Sequence, residues 1–136
     1  MIKIVIIAHG GLAQELLNSA EMIAGKQPNV YALNRGMQDS LAQMQLKIDA
    51  LLKDISDENG ILILTDMIGG TPCNASVPMC RSFNTEILAG VNLPMVLSAI
   101  FVSKTAGTAA ELSEKVLLDG QKSIINVKKM LLSRMK

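Results

Sequence analysis

The chain has 136 residues and a mass of 14.6 kDa, which corresponds to one domain spanning residues 1–136. Apolar residues make up 49% of it and charged residues only 18%, which excludes an intrinsically disordered chain. Thirteen basic residues oppose twelve acidic ones and only 2% of residues are aromatic, so nothing favours binding to nucleic acid or to an anionic membrane.

The two cysteines, Cys73 and Cys80, lack the spacing of a zinc site or a disulfide framework and are expected to be small buried residues. No metal site and no cofactor are predicted. The apolar run at the start is too short for a signal peptide, and residues 91–102 are too short and too interrupted to span a bilayer. We therefore expect a soluble, reduced, cytoplasmic protein.

Four short runs of apolar and β-branched residues predict strands. They cover residues 2–8, 30–33, 61–65 and 85–91. Helix-length stretches separate them, which is typical of βαβ units with right-handed crossovers. The prediction is a three-layer α/β sandwich with a mostly parallel central sheet of strand order 2-1-3-4.

Apolar spacing and capping residues predict the helices. The first helix is expected to close at Gly25 and to bury a face formed by Leu12, Leu16, Ala20 and Ile23. The third is expected to begin with Thr71 as N-cap and Pro72 as its first helical residue, and Pro78 predicts a kink or a break near Val77. The remaining predicted N-caps are Asp39 or Ser40, Asn92 and Thr108. Residues 123–127 either extend a helix or form a short edge strand.

Candidate chemistry lies where the first and third strands end. His9, the only histidine, follows the first strand, and Asp66 follows the third. In the predicted strand order these ends are adjacent, at the point where ligands bind in open parallel sheets. The turn Gly69–Gly70 and the Thr71 hydroxyl would offer hydrogen-bond donors to a phosphate.

Each of these residues alone also fits a structural role, because glycines form tight turns and a carboxylate can stabilise a helix start. Together they suit phosphohistidine chemistry. A carboxylate that accepts the Nδ1–H of an imidazole holds the tautomer that exposes Nε2 as a nucleophile. Without a P-loop or a metal-ligand cluster, direct use of ATP is not indicated.

Three segments resemble the enzyme IIA domain of the mannose family of the bacterial phosphotransferase system. They are VIIAHGGLAQELLNSAEMI, TDMIGGTPCNAS and AGVNLPMVL, in matching order and spacing. The resemblance implies an α/β fold in which His9 carries the phosphoryl group and Asp66 is its paired carboxylate. Thr71 stands where the family commonly has serine, so a hydroxyl is kept, whereas Pro78 departs from the family's usual helix.

The resemblance also implies partners. The phosphocarrier HPr would donate the phosphoryl group and a IIB component would receive it, with an indirect link to the membrane components IIC and IID. The chain ends without a linker, so IIB is expected on a separate polypeptide. A homodimer is expected, in which the C-terminal segment is exchanged as an antiparallel edge strand.

Two other functions remain open at this stage. One is the phosphotransfer subunit that serves dihydroxyacetone kinase, which resembles the same fold. The other is a non-enzymatic regulatory module that binds a small anion. The sequence does not identify the sugar.

Overall fold

The computed structural model describes residues 1–135 and shows helices on both sides of a four-stranded sheet. The strands are β1 (Lys3–His9), β2 (Val30–Arg35), β3 (Ile61–Thr65) and β4 (Thr85–Ala89). The helices are α1 (Leu12–Ala24), α2 (Leu41–Ile55), α3 (Thr71–Ser76), α4 (Met79–Ser82), α5 (Leu93–Val102), α6 (Ala109–Lys122) and α7 (Val127–Arg134). None of the helices within residues 1–135 is long and apolar enough to cross a membrane.

The sheet is parallel throughout and has the order β2-β1-β3-β4, which confirms the predicted strand order. Its two central strands are continuous apolar runs because both of their faces are covered by helices. All four strands end at the same edge of the sheet. At that edge the register pairs His9 of β1 with Arg35 of β2.

Side chains of β1 alternate between two cores. Ile4, Ile6 and Ala8 pack in a core with α1, α5 and α6, whereas Val5 and Ile7 pack in the other core with α2, α3 and α4. Since successive strand residues point to opposite faces, the side chain of His9 points to the same face as Val5 and Ile7. The imidazole therefore lies on the side of the sheet that α2 and α3 cover.

The predicted buried face of the first helix is wrong at both of its ends. Leu12 and Ile23 are exposed, while α1 buries Ala13, Leu17 and Ala20. The small alanines let the helix lie close to the sheet. The longer side chains at its two ends are left in solvent.

The start of the third helix also differs from the prediction. Its first helical hydrogen bond runs from the Asn74 N–H to the Gly70 carbonyl, so Gly70 is the N-cap and Thr71 is already helical. Pro72 takes the second helical position. An N–H group at that position has no acceptor within the helix, so proline costs no helical hydrogen bond there. The Thr71 hydroxyl is therefore not a capping group.

The other helix boundaries follow the prediction. A break separates α3 from α4 at Val77 and Pro78. Side-chain caps are made by Ser40, Asn92 and Thr108.

Of the two cysteines expected to be buried, Cys73 is buried but Cys80 is exposed on α4.

The last described segment buries nothing. Residues 124–126 have no regular structure in the single chain, so they neither extend α6 nor form a strand. Helix α7 has no buried residue, and its apolar side chains Val127, Leu131 and Leu132 are about half exposed. Exchange of this segment between two subunits stays a prediction.

Candidate functional site

The site is assembled from the segments that follow β1, β2 and β3 at the carboxyl edge of the sheet. His9 is the last residue of β1, and Asp66 is the first residue after β3. Because β1 and β3 are hydrogen-bonded neighbours, the fold brings these two residues together although 57 positions separate them in the sequence. Their side chains are in contact, as the strand order predicts.

Asp66 holds the imidazole through one oxygen. Its Oδ2 lies 2.7 Å from Nδ1 of His9 and also accepts the His9 backbone N–H at 2.9 Å. The second oxygen, Oδ1, accepts the N–H of Met67 at 3.0 Å. Three hydrogen bonds therefore fix the carboxylate, and its side chain is only 12% exposed.

Opposing effects act on the ionisation of Asp66. Burial alone would raise the pKa of this carboxyl, but the hydrogen bonds from the His9 backbone and imidazole outweigh it and lower the pKa below its ordinary value of 3.8. The group is therefore a carboxylate at neutral pH and can only accept hydrogen bonds. Nδ1 of His9 must then carry the proton.

This tautomer leaves Nε2 as the free nitrogen of the neutral ring. Nε2 makes no hydrogen bond within residues 1–135, and the His9 side chain is 41% exposed. The contact thus produces an oriented, solvent-accessible nitrogen lone pair, which is what nucleophilic catalysis by histidine requires.

Gly70 packs directly against the imidazole. A Cβ built at this position would lie 2.8 Å from Cε1 of His9 and 3.2 Å from Cγ of Met67. Gly70 has an ordinary extended backbone, so the ring's proximity and not the backbone conformation requires glycine. The preceding Gly69 has a φ of +84°, which forms the turn that leads the chain back to His9.

The start of α3 offers free donors beside this ring. The N–H groups of Thr71 and Cys73 make no hydrogen bond within residues 1–135, and neither does the half-buried Thr71 hydroxyl. The N–H of Gly70, in contrast, has a long bond of 3.4 Å to the Met67 carbonyl. The predicted phosphate-binding residues Gly69, Gly70 and Thr71 thus lie in one turn next to His9.

Arg35 lies at the same edge of the sheet and is not among the predicted site residues. The second strand was predicted to end at Leu33, but it continues to Arg35, which pairs with His9. The Arg35 carbonyl also accepts the N–H of Gly10 at 2.8 Å. One signal in the sequence was available, because Arg35 is the only lysine or arginine in the segments 8–12, 34–38, 64–72 and 88–94 that end the strands.

Exposed apolar side chains also occur in the segments that follow the strands at this edge of the sheet. Leu12, Met37, Met67 and Ile68 are 44%, 96%, 56% and 81% exposed, and they come from the segments after β1, β2 and β3. Clustered exposed apolar residues are typical of protein interaction sites. Within residues 1–135, no cluster of three His, Cys, Asp or Glu side chains is arranged to hold a metal ion.

Sequence comparisons identify the family. A family model described as PTS system fructose IIA component matches residues 3–117, where PTS is the phosphotransferase system. The PTS system fructose-specific EIIA component of Bacillus subtilis is 35% identical over 101 residues, which cover 74% of this chain and 69% of that protein. The PTS system mannose-specific EIIAB component of Escherichia coli K12 is 36% identical over 100 residues, which cover 73% of this chain and 31% of that protein.

Solved structures agree with this assignment. The phosphotransferase system component EIIA from Streptococcus agalactiae superposes with a TM-score of 0.86 at 32% identity, covering 95% of this chain and 99% of that one. The mannose/sorbose specific IIA subunit from Enterococcus faecalis gives a TM-score of 0.85 at 28% identity, covering 92% and 93%. The chain therefore belongs to the mannose-type enzyme IIA family of the sugar phosphotransferase system, whose members transfer phosphoryl groups.

Proposed function

We propose that His9 accepts a phosphoryl group from phospho-HPr and passes it to a IIB component during sugar uptake. The observation that carries this proposal is the 2.7 Å contact between Nδ1 of His9 and the Asp66 carboxylate, which leaves Nε2 unpaired. Family membership supplies the reaction class, and the contact supplies the residue and the atom that would perform it.

In the proposed reaction, the lone pair of Nε2 attacks phosphorus. The bond between phosphorus and the donor's imidazole nitrogen breaks, and that nitrogen leaves with the electron pair. The proton on Nδ1 of His9 stays in its hydrogen bond to Asp66, which stabilises the positive charge that develops on the ring. The reverse sequence delivers the group to the next carrier.

The turn at the start of α3 would bind the phosphoryl oxygens. The free N–H groups of Thr71 and Cys73 and the Thr71 hydroxyl are the donors available there. Gly69 and Gly70 would act mainly through shape, because they bring this turn against the imidazole without a Cβ.

Both proposed partners are proteins, and the surroundings of His9 suit a protein surface. The exposed side chains of Leu12, Met37, Met67 and Ile68 provide apolar contact area at this edge of the sheet. The IIB component would pass the group on toward the membrane components IIC and IID. The related proteins carry fructose, mannose or sorbose in their names, so the sugar taken up through this protein is left unassigned.

The test is a reconstituted relay. Phosphoenolpyruvate, enzyme I and HPr are incubated with the parent protein, His9→Gln and Asp66→Asn, and acid-labile label on each is followed over time. We expect label on the parent, none on His9→Gln, and transfer slowed by roughly 10²–10⁴-fold in Asp66→Asn, the range for losing a positioned acid–base partner.

The labelled parent is then offered to a IIB component and, separately, to dihydroxyacetone kinase. Delivery to IIB supports the proposal, whereas delivery only to the kinase assigns the protein to that other pathway. A parent protein that acquires no label while HPr is phosphorylated contradicts the proposal and favours a regulatory anion-binding module.

A further inference from the structure

We propose that the guanidinium of Arg35 binds the phosphoryl group while it is transferred to and from His9. The inference rests on the function proposed above. It adds a cationic residue from β2 to the residues that β1 and the segment after β3 supply. It is drawn from the position of Arg35, from its missing partners and from the charge of the site.

The position follows from the register of the sheet. Arg35 and His9 are direct partners on adjacent parallel strands, which lie about 4.8 Å apart. Registered residues point to the same face, so both side chains lie on the side that α2 and α3 cover. The backbone of Arg35 is held there by the hydrogen bond from Gly10, the residue after His9.

The guanidinium has donors without acceptors. Nε of Arg35 is shielded from solvent and has no hydrogen-bond partner, and the side chain makes no ion pair within residues 1–135. Asp39 lies near it, but its two oxygens accept from the Gly36 N–H and from Nζ of Lys47, both at 2.8 Å. Buried polar groups are nearly always paired, so a buried Nε without an acceptor, on the residue that pairs with His9, points to an acceptor supplied by a bound anion.

The charge of the site points the same way. A phosphoryl group brings about −1.5 to −2 charges next to the Asp66 carboxylate. Arg35 is the only cationic side chain in the four segments that end the strands. Its planar fork can donate to two oxygens at once, which suits a phosphoryl group better than an ammonium would.

The step requires no proton from Arg35. Nε2 of His9 forms the new bond to phosphorus, the donor's imidazole nitrogen departs with its electron pair, and two equatorial oxygens accept N–H groups of the guanidinium. The negative charge on these oxygens is present throughout the transfer. Arg35 would therefore stabilise the transferring group directly and would not act through His9.

The experiment is single-turnover transfer from ³²P-labelled phospho-HPr to the parent, Arg35→Met, Arg35→Lys and Arg81→Met. Arg81 is exposed on α4, just before the amino end of β4 and so at the opposite edge of the sheet, and serves as the matched control. We expect Arg35→Met to slow the transfer step by about 10²–10³-fold, with Arg35→Lys between it and the parent. The HPr concentration for half-maximal rate and the thermal midpoint should change little, which separates phosphoryl binding from docking and from folding.

An Arg35→Met protein that transfers as fast as Arg81→Met overturns the inference. If Arg35→Met does not fold, Arg35→Lys decides, because it keeps the charge and loses the fork: transfer at the parent rate overturns the inference. A parent protein without label on His9 refutes the proposed function itself, so the two failures are distinguishable.

Discussion

Replacing Gly70 by alanine tests whether the position of the imidazole controls transfer. The new Cβ would stand 2.8 Å from Cε1 of His9, about 0.6 Å short of the 3.4 Å at which ordinary contacts begin. The ring is partly exposed and can yield, but a shift of that size along the bond lengthens its 2.7 Å hydrogen bond to Asp66 to about 3.3 Å, where such bonds are weak. Since a misplacement near 1 Å can cost about 100-fold, we expect transfer to slow by roughly 10- to 100-fold.

The fold should tolerate this change. Gly70 has a φ of −79°, which alanine adopts without strain. Alanine also lowers the conformational entropy of the unfolded chain, and this stabilising effect offsets most of the roughly 1 kcal/mol lost by replacing glycine at the N-cap. Gly11→Ala is the matched control, because Gly11 is also an N-cap glycine with negative φ and has nothing within 4 Å of the added Cβ. The assay is single-turnover labelling of the two variants by phospho-HPr. Equal rates in Gly70→Ala and Gly11→Ala would refute the reasoning.

Three further predictions concern the hydroxyl, the pH dependence and the C-terminal segment. Thr71→Val should slow labelling without lowering the urea midpoint, because the hydroxyl does not cap α3. Thr71→Ser should match the parent. An unchanged rate in Thr71→Val would exclude the hydroxyl from transfer. The hydrogen bonds from Lys3 and from the Asn59 N–H lower the pKa of Asp57, so they stabilise the fold above the ordinary value of 3.8 and lose that effect as the pH falls through the folded-state pKa. The urea midpoint of Asp57→Asn should therefore lie below that of the parent at pH 7 and converge with it in acid, and a gap that persists at pH 2.5 would contradict this. Deleting the residues after Ser123 should leave the core intact, since α7 buries nothing, and should give a monomer by light scattering. A truncated protein that stays a dimer would exclude exchange of this segment.

The strand order and the central pair of the site could be predicted from the sequence. Uninterrupted apolar runs such as residues 61–64 identify buried parallel strands, and buried strands pair in few ways. Once the first and third strands are neighbours, the residues that end them must meet. His9 and Asp66 are therefore close for topological reasons, and their contact required no knowledge of side-chain packing.

The position of Arg35 and the packing of Gly70 against the imidazole could not be predicted in the same way, although Gly70 itself was predicted as a phosphate-binding residue. Arg35 is the last residue of a half-buried edge strand whose apolar pattern fades after Leu33, so its pairing with His9 appears only in the register. The role of Gly70 depends on an interatomic distance to a ring 61 positions earlier in the chain, which no local pattern records. The face of α1 is misjudged for a similar reason, because the helix is turned so that Ala13, Leu17 and Ala20 are buried while Leu12 and Ile23 are exposed.

The most direct test of the central claim is to identify the nitrogen of His9 that carries the phosphoryl group. His9 is the only histidine, so in an untagged protein labelled with ¹⁵N-histidine the imidazole signals belong to this residue. After phosphorylation by phospho-HPr, the spectrum should show phosphorus on Nε2 and a proton on Nδ1, because Nδ1 is held by Asp66 at 2.7 Å. Phosphorus on Nδ1, or a phosphorylated protein whose imidazole signals do not change, would contradict the account.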